Sequence, residues 1–274
     1  MYDAIILGGA VMTQTERDLE SGVSVELGNS VSTITIDRPR RMNALTYHTM
    51  VRLAECVEVE AQRPEVRALV LTGKGKTFSA GADLSSPDDR SVTPEDGVRA
   101  ANRVVTAILN AQVPVVARVP GAAVGVGVPI ALAADLVVAS EDAYFLLAFT
   151  KVGLMPDGGA SLLLTASIGR ARAMAMVLRA ERVPASAAVA MGLIDRAVPA
   201  NELDAVVDAS VHHFVRGPRQ AFVSAKRAIN AAALDLLPAT MEREVEGQSK
   251  LLRSNDFLEG ARAMLAKRPP QFSD

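Results

Sequence analysis

Two glycine-punctuated turns and one aspartate are the features of this chain best suited to chemistry. The turns are Phe78-Ser-Ala-Gly-Ala-Asp-Leu84 and Pro120-Gly-Ala-Ala-Val-Gly-Val-Gly-Val-Pro129, each after a β-branched run, Val66–Thr72 and Val113–Val119. A strand that ends in small residues exposes backbone N–H groups no neighbouring strand uses, and two such ends side by side can aim donors at one carbonyl oxygen. That is an oxyanion hole made of main chain. Glycine turns after strands are also ordinary connections, so the pair carries the inference and neither turn does alone. The aspartate is Asp157, in Gly153-Leu-Met-Pro-Asp-Gly-Gly159. Asp before Gly-Gly is a good helix N-cap, its carboxylate satisfying orphan N–H groups. In a pocket of Phe, Leu and Met side chains the same carboxyl would instead be desolvated, its pKa raised until it could shuttle protons near neutrality.

Other chemistry finds less support. Asp83 reads as a residue that fixes the first turn through local hydrogen bonds. Asp135 ends a helix and starts a strand, which favours a structural role. His48, His212 and His213 lack ligand-like spacing, so no metal site is expected. The chain has no Gly-x-Ser-x-Gly elbow and no Gly-x-x-x-x-Gly-Lys loop, and Gly125 and Gly127 are followed by Ile130 where a dinucleotide fingerprint needs glycine.

The elements that must position these residues follow from periodicity. Val23–Leu27 and Val31–Ile36 alternate like paired strands, Thr46–Gln62 is a helix opened by Thr46, and Ala68–Thr72 is a buried strand. Pro94–Ala111 is helical, and Val113–Val119 and Leu136–Ala139 are strands. Before the latter lies a short helix that tolerates Pro129 in its first turn. Phe145–Pro156 is expected to be extended and loop-like, and from Asp157 onward the pattern is helical nearly to the end. No internal repeat is visible. The polar loop Ser85–Thr93 after the first turn has the character of a lid or of a plain solvated connection.

Composition bounds the class. The 274 residues are 49 % hydrophobic and 22 % charged, long and apolar enough for a well-packed globular protein. Lys plus Arg number 29 and Asp plus Glu 31, a net charge of −2, so no global field draws nucleic acid or anionic lipid. The one cysteine, Cys56, cannot form an intrachain disulfide and fits a reducing, cytoplasmic setting. The apolar run Ala4–Met12 is too short to span a bilayer, and no membrane partner is expected. Residues 1–12 read as a disordered N-terminal extension, with Met12 a natural start.

In order and spacing the chain resembles the crotonase, or enoyl-CoA hydratase/isomerase, superfamily from roughly Val23 onward. The resemblance rests on both turns, on Asp37-Arg-Pro39 with Asn43-Ala-Leu45, on Asp135, and on Val152-Gly-Leu-Met-Pro-Asp-Gly-Gly159. Ala190-Met-Gly-Leu-Ile-Asp-Arg-Ala-Val198 and the tail Lys267-Arg-Pro-Pro-Gln-Phe272 complete it. It implies an α/β fold: a crotonase-like ββα spiral core over residues 13–200, then a C-terminal helical trimerisation region over 201–274, and hence a homotrimer or hexamer.

The resemblance also implies roles. The N–H groups of Ala82 and Val126 form the oxyanion hole for an acyl-CoA thioester, with coenzyme A arriving as part of the substrate and no cofactor held permanently. Donors of this kind are worth about 3–4 kcal/mol each. Ala80, Arg41 and Lys267 are the expected coenzyme A contacts; Phe149, Pro129 and Leu154 line the acyl pocket. Hydratases of this family carry glutamates at the positions of Pro129 and Phe149, and neither residue here can move a proton. Asp157 is left as the acid/base of an isomerase, matching the acidic residue of isomerase-like members such as the phenylacetate-pathway epoxide isomerases. The alternatives are an enoyl-CoA hydratase-like lyase, an acyl-CoA hydrolase, and a non-catalytic acyl-CoA-binding protein. An Asp157 carboxylate bound wholly to helix N–H groups would favour the binder.

Overall fold

A computed structural model describes residues 21–85 and 92–273. The expected N-terminal extension and most of the expected lid lie outside the described residues. In chain order the strands are β1 (Val23–Gly28), β2 (Val31–Ile36), β3 (Ala68–Gly73), β4 (Thr77–Ser79), β5 (Val115–Val119), β6 (Ala122–Val124), β7 (Leu136–Ser140), β8 (Tyr144–Leu146), β9 (Val183–Pro184) and β10 (Arg196–Val198). The helices are α1 (Tyr47–Glu60), α2 (Pro94–Asn110), α3 (Gly127–Leu132), α4 (Ala160–Arg179), α5 (Ala185–Ala190), α6 (Leu203–Arg216), α7 (Arg219–Leu234), α8 (Leu237–Leu251) and α9 (Asn255–Leu265).

The strands form two sheets, one ordered β1-β2-β3-β5-β7-β10 and the other β4-β6-β8-β9. In the first sheet β1 and β2 are antiparallel and all later pairs parallel. Three times the chain leaves a strand of the large sheet and at once adds a short strand to the small one: β3 to β4, β5 to β6, β7 to β8. These are turns of a ββα spiral, as the fold expectation required. The repeat has no sequence signature because the short strands span three residues each, as in Thr77–Ser79 and Ala122–Val124. For the same reason the glycine turns follow β4 and β6 rather than the long runs before them.

Local chemistry sets the boundaries. Thr46 caps α1 by accepting from the Thr49 N–H, and Thr93 and Asp96 close a reciprocal capping box on α2. Pro129 sits in the first turn of α3, where its missing N–H costs nothing. The core lies between the sheets and helices, with Phe78, Phe145, Ile34, Leu45 and Leu71 almost fully buried, each worth roughly 1.5–3 kcal/mol.

Two expectations need correction. The segment expected to be extended, Phe145–Pro156, contains β8 and a 3₁₀ turn over Phe149–Val152. Beyond Asp157 the chain is not helical throughout: β9 joins the small sheet and β10 closes the large one against β7. Both strands are too short to generate periodicity. Helix α6 then packs Leu203, Val207 and Val211 on Ala68, Val70, Val116 and Val138 of the large sheet. Of the described helices, α4 is long and apolar enough to cross a membrane by composition, but Gly169 interrupts it with non-helical φ 75° and ψ 158°.

Candidate active site

Because β4 and β6 are parallel neighbours, the turns after them arrive side by side. Gly81 adopts φ 87°, and a Cβ on it would stand 2.8 Å from the Val124 carbonyl oxygen and 3.4 Å from the Gly125 Cα. Only glycine allows the turns to approach so closely.

The first turn is held by its surroundings. The Ser79 hydroxyl accepts from the Gly81 N–H at 3.1 Å and donates to the Asn43 carbonyl at 2.9 Å. Leu45 bridges the turn, donating to the Gly81 carbonyl at 2.7 Å and accepting from the Asp83 N–H at 2.9 Å, while the Ala80 N–H donates to Met42. Asn43 is fully buried, and its amide donates to the carbonyls of Lys74 and Thr77. Asp83 meets Arg38 at 3.0 Å and accepts from the N–H and hydroxyl of Ser85, which is the local role expected of it. With its neighbours satisfied, the Ala82 N–H has no acceptor among the described residues.

The second turn repeats the result. The Gly125 N–H donates to the Leu146 carbonyl at 2.8 Å and its carbonyl accepts from Val128 at 3.0 Å. The Val126 N–H again has no acceptor among the described residues, and Val126 holds an unstrained φ of −63° and ψ of −19° at the start of α3.

The chain just after Asp157 lies against this second turn. A Cβ on its neighbour Gly158 would stand 3.1 Å from Pro129 Cγ and 3.4 Å from Val126 Cγ2. The Asp157 side chain does not cap α4. Glu244, from α8, does: it accepts from the Gly159 N–H at 2.7 Å and the Ser161 N–H at 3.0 Å. Asp157 Oδ2 instead accepts from Gln248 Nε2 at 3.0 Å, and its Oδ1 is buried with no hydrogen-bond partner. Burial drives the carboxyl pKa up to about 7; the Gln248 hydrogen bond lowers it and the charge of Glu244 raises it further.

Phe149, Leu154 and Pro129 are all buried, the first two in the main core beside this segment. Arg41 is exposed and donates to the Ser85 hydroxyl at 3.0 Å, at the outlet of the first turn and near Ala80. Lys267 stands two residues past the end of α9, exposed and with φ 53°, and no hydrogen bond or ion pair joins it to Arg41 or Ala80 among the described residues. No group of three His, Cys, Asp or Glu side chains suited to a metal occurs among the described residues. Sequence reasoning missed Glu244 and Gln248. Their spacing of four puts both on one helix face, a visible signal, but nothing local says that this face meets Asp157.

Two sheets wound as ββα repeats, with paired amide turns at successive repeats, define a crotonase-type α/β protein. The family model for enoyl-CoA hydratase/isomerase matches residues 26–274. A probable enoyl-CoA hydratase of Rhodobacter capsulatus is 40 % identical, the match covering 92 % of this chain and 97 % of that protein. The 1,2-epoxyphenylacetyl-CoA isomerase of Escherichia coli K12 is 36 % identical over 89 % of this chain and 95 % of its own. The crystal structure of an enoyl-CoA hydratase from Mycobacterium avium subsp. paratuberculosis superposes with a TM-score of 0.87 at 46 % identity, covering 92 % and 99 % of the two chains. The chain belongs to the enoyl-CoA hydratase/isomerase family of enzymes, within the crotonase superfamily.

Proposed function

We propose that this chain isomerises acyl-CoA thioesters, with the N–H groups of Ala82 and Val126 holding the thioester oxygen and Asp157 carrying one proton between two carbons of the acyl group. The ionised carboxylate takes a proton from the α-carbon, and the C–H electron pair moves into an enolate whose oxygen sits on the two amides. The enolate then recovers that proton from Asp157 at a carbon further along, and the double bond relocates. The net formula is unchanged. Opening of a strained ring conjugated to the enolate follows the same course.

One observation carries the reading: Asp157 is buried, excused from capping, and has one oxygen unpaired, in a segment whose Gly158 packs on Val126 and Pro129. Hydration needs a second acid, and the available candidate, Glu244, has both oxygens committed to backbone N–H groups. Pro129 and Phe149 have no proton to give. The relatives' names point both ways, one to a hydratase and one to an isomerase. In this reading Arg41, Ala80 and Lys267 meet coenzyme A, and Phe149, Pro129 and Leu154 bound the acyl pocket.

The test is chromatography with mass detection on a panel of enoyl-, dienoyl- and aromatic epoxide-CoA thioesters. Isomerisation changes retention at constant mass, hydration adds water, and hydrolysis releases free coenzyme A. A product of constant mass, lost in Asp157→Asn, supports the proposal; hydration or hydrolysis as the main outcome, or full turnover by Asp157→Asn, ends it.

A further inference from the structure

We infer that Gln248 is the positioning residue of Asp157: one planar amide, anchored on the Met155 backbone, fixes Oδ2 and so presents Oδ1 to the substrate. This rests on the reading of Asp157 as the proton carrier. Gln248 is only 1 % exposed. Its Oε1 accepts from the Met155 N–H at 3.1 Å and its Nε2 donates to Asp157 Oδ2 at 3.0 Å. The amide orientation is doubly determined, since a flipped group would set N–H against N–H and oxygen against carboxylate. A single side chain therefore ties the loop two residues before Asp157 to the carboxylate itself.

Glu244, one turn earlier on α8, occupies the Gly159 and Ser161 N–H groups on the other side. The two residues divide the work. Glu244 removes the donors that would otherwise draw Asp157 into a cap, and Gln248 supplies the one donor that Asp157 keeps. That donor is neutral. A cation at the same place would fix Asp157 as a permanent anion, and an apolar group would leave it a permanent acid; an amide stabilises the anion only in part. From α3 the neighbouring segment meets Val126 and Pro129, from its own loop Met155, and from α8 Gln248 and Glu244. Glu244 is the charged group that bears on Asp157 among the described residues.

The experiment titrates Asp157 directly, by the infrared band of its buried protonated carboxyl, identified through its loss in Asp157→Asn. The wild-type midpoint is expected at about 7. Gln248→Met keeps the length but removes the donor, and its midpoint is expected to rise by about one pH unit or more. The acid limb of kcat should rise with it, while KM for the thioester changes less than about threefold. Gln248→Asn keeps a neutral amide but shortens it out of reach of Oδ2, and it decides the matter should Gln248→Met fail to fold, judged by circular dichroism. Its midpoint should rise as that of Gln248→Met does. A folded variant with an unmoved midpoint overturns the role of Gln248 and leaves the isomerase reading intact. Turnover surviving in Asp157→Asn overturns the isomerase reading, whatever the titration shows.

Discussion

Asp135 and Asp157 are aspartates at the end of a helix or the start of the next, the first partly exposed and the second buried, and their surroundings separate them. Asp135, between α3 and β7, accepts from the Val115 N–H at 2.7 Å and meets Lys226 Nζ at 2.9 Å; Lys226 also donates to the Ile108 carbonyl at 2.8 Å. Burial pushes the Asp135 carboxyl up and the Lys226 ammonium down, and each opposes the other's drift towards neutrality. Asp157 receives one neutral amide and faces a like charge in Glu244. With an adjacent cation the Asp135 carboxylate is a fixed strut tying α2, α7 and the large sheet together. Without one, Asp157 can change its proton near neutral pH.

Exchanging the two roles should give opposite phenotypes. Asp157→Asn is expected to lower isomerisation by about 10³-fold with the fold intact, within the range for loss of a general acid/base. Asp135→Asn should leave activity per folded molecule unchanged yet cost about 1–3 kcal/mol in urea melts, because buried Lys226 would lose its counter-charge and keep only the Ile108 carbonyl. Equal losses of turnover in both variants would break the comparison. A sharper version is Lys226→Met, which leaves Asp135 a backbone donor and no cation. Stability of that variant should decline relative to wild type as pH rises above the ordinary carboxyl range, since Asp135 must then ionise without a cation beside it.

Asp157 itself predicts a pH effect of known sign. Its folded value of about 7 lies above the ordinary 3.8, so the folded state holds a proton there that the unfolded state releases. Wild-type stability is therefore lost as pH climbs from about 4 through 7, and Asp157→Asn abolishes that loss. Thermal melts should show the variant more stable than wild type at pH 8, by on the order of 3 kcal/mol, and level with it at pH 3. The smallest effect concerns the exposed Arg41: Arg41→Ala should raise KM for an acyl-CoA about two- to fivefold without changing kcat, and salt should weaken the difference.

The sequence exposed the parts of this arrangement that are local. Val31–Ile36, Ala68–Gly73 and Pro94–Asn110 announce themselves by periodicity and caps, while Gly81 marks a turn where a side chain cannot fit and Gly125 one that needs a positive φ. What escaped depends on neighbours distant in the chain. Strands of three residues have no period to detect, so the second sheet, which brings the turns at Gly81 and Gly125 side by side, is invisible before folding. Capping was the second of two readings open to Asp157, beside that of proton carrier. It failed because Glu244, far along the chain, carries a carboxylate better placed for the same N–H groups. Competition between donors and acceptors is decided by tertiary geometry, and residue type alone does not reveal the winner.

Helix α8 comes long after the turns that hold the two amides. Removing that helix would leave the N–H groups at 159 and 161 without their acceptor and the Asp157 carboxylate without its donor. The surroundings of Asp157 are thus completed from the far end of the chain, and a truncation there would strip a carboxyl that the cut never touches.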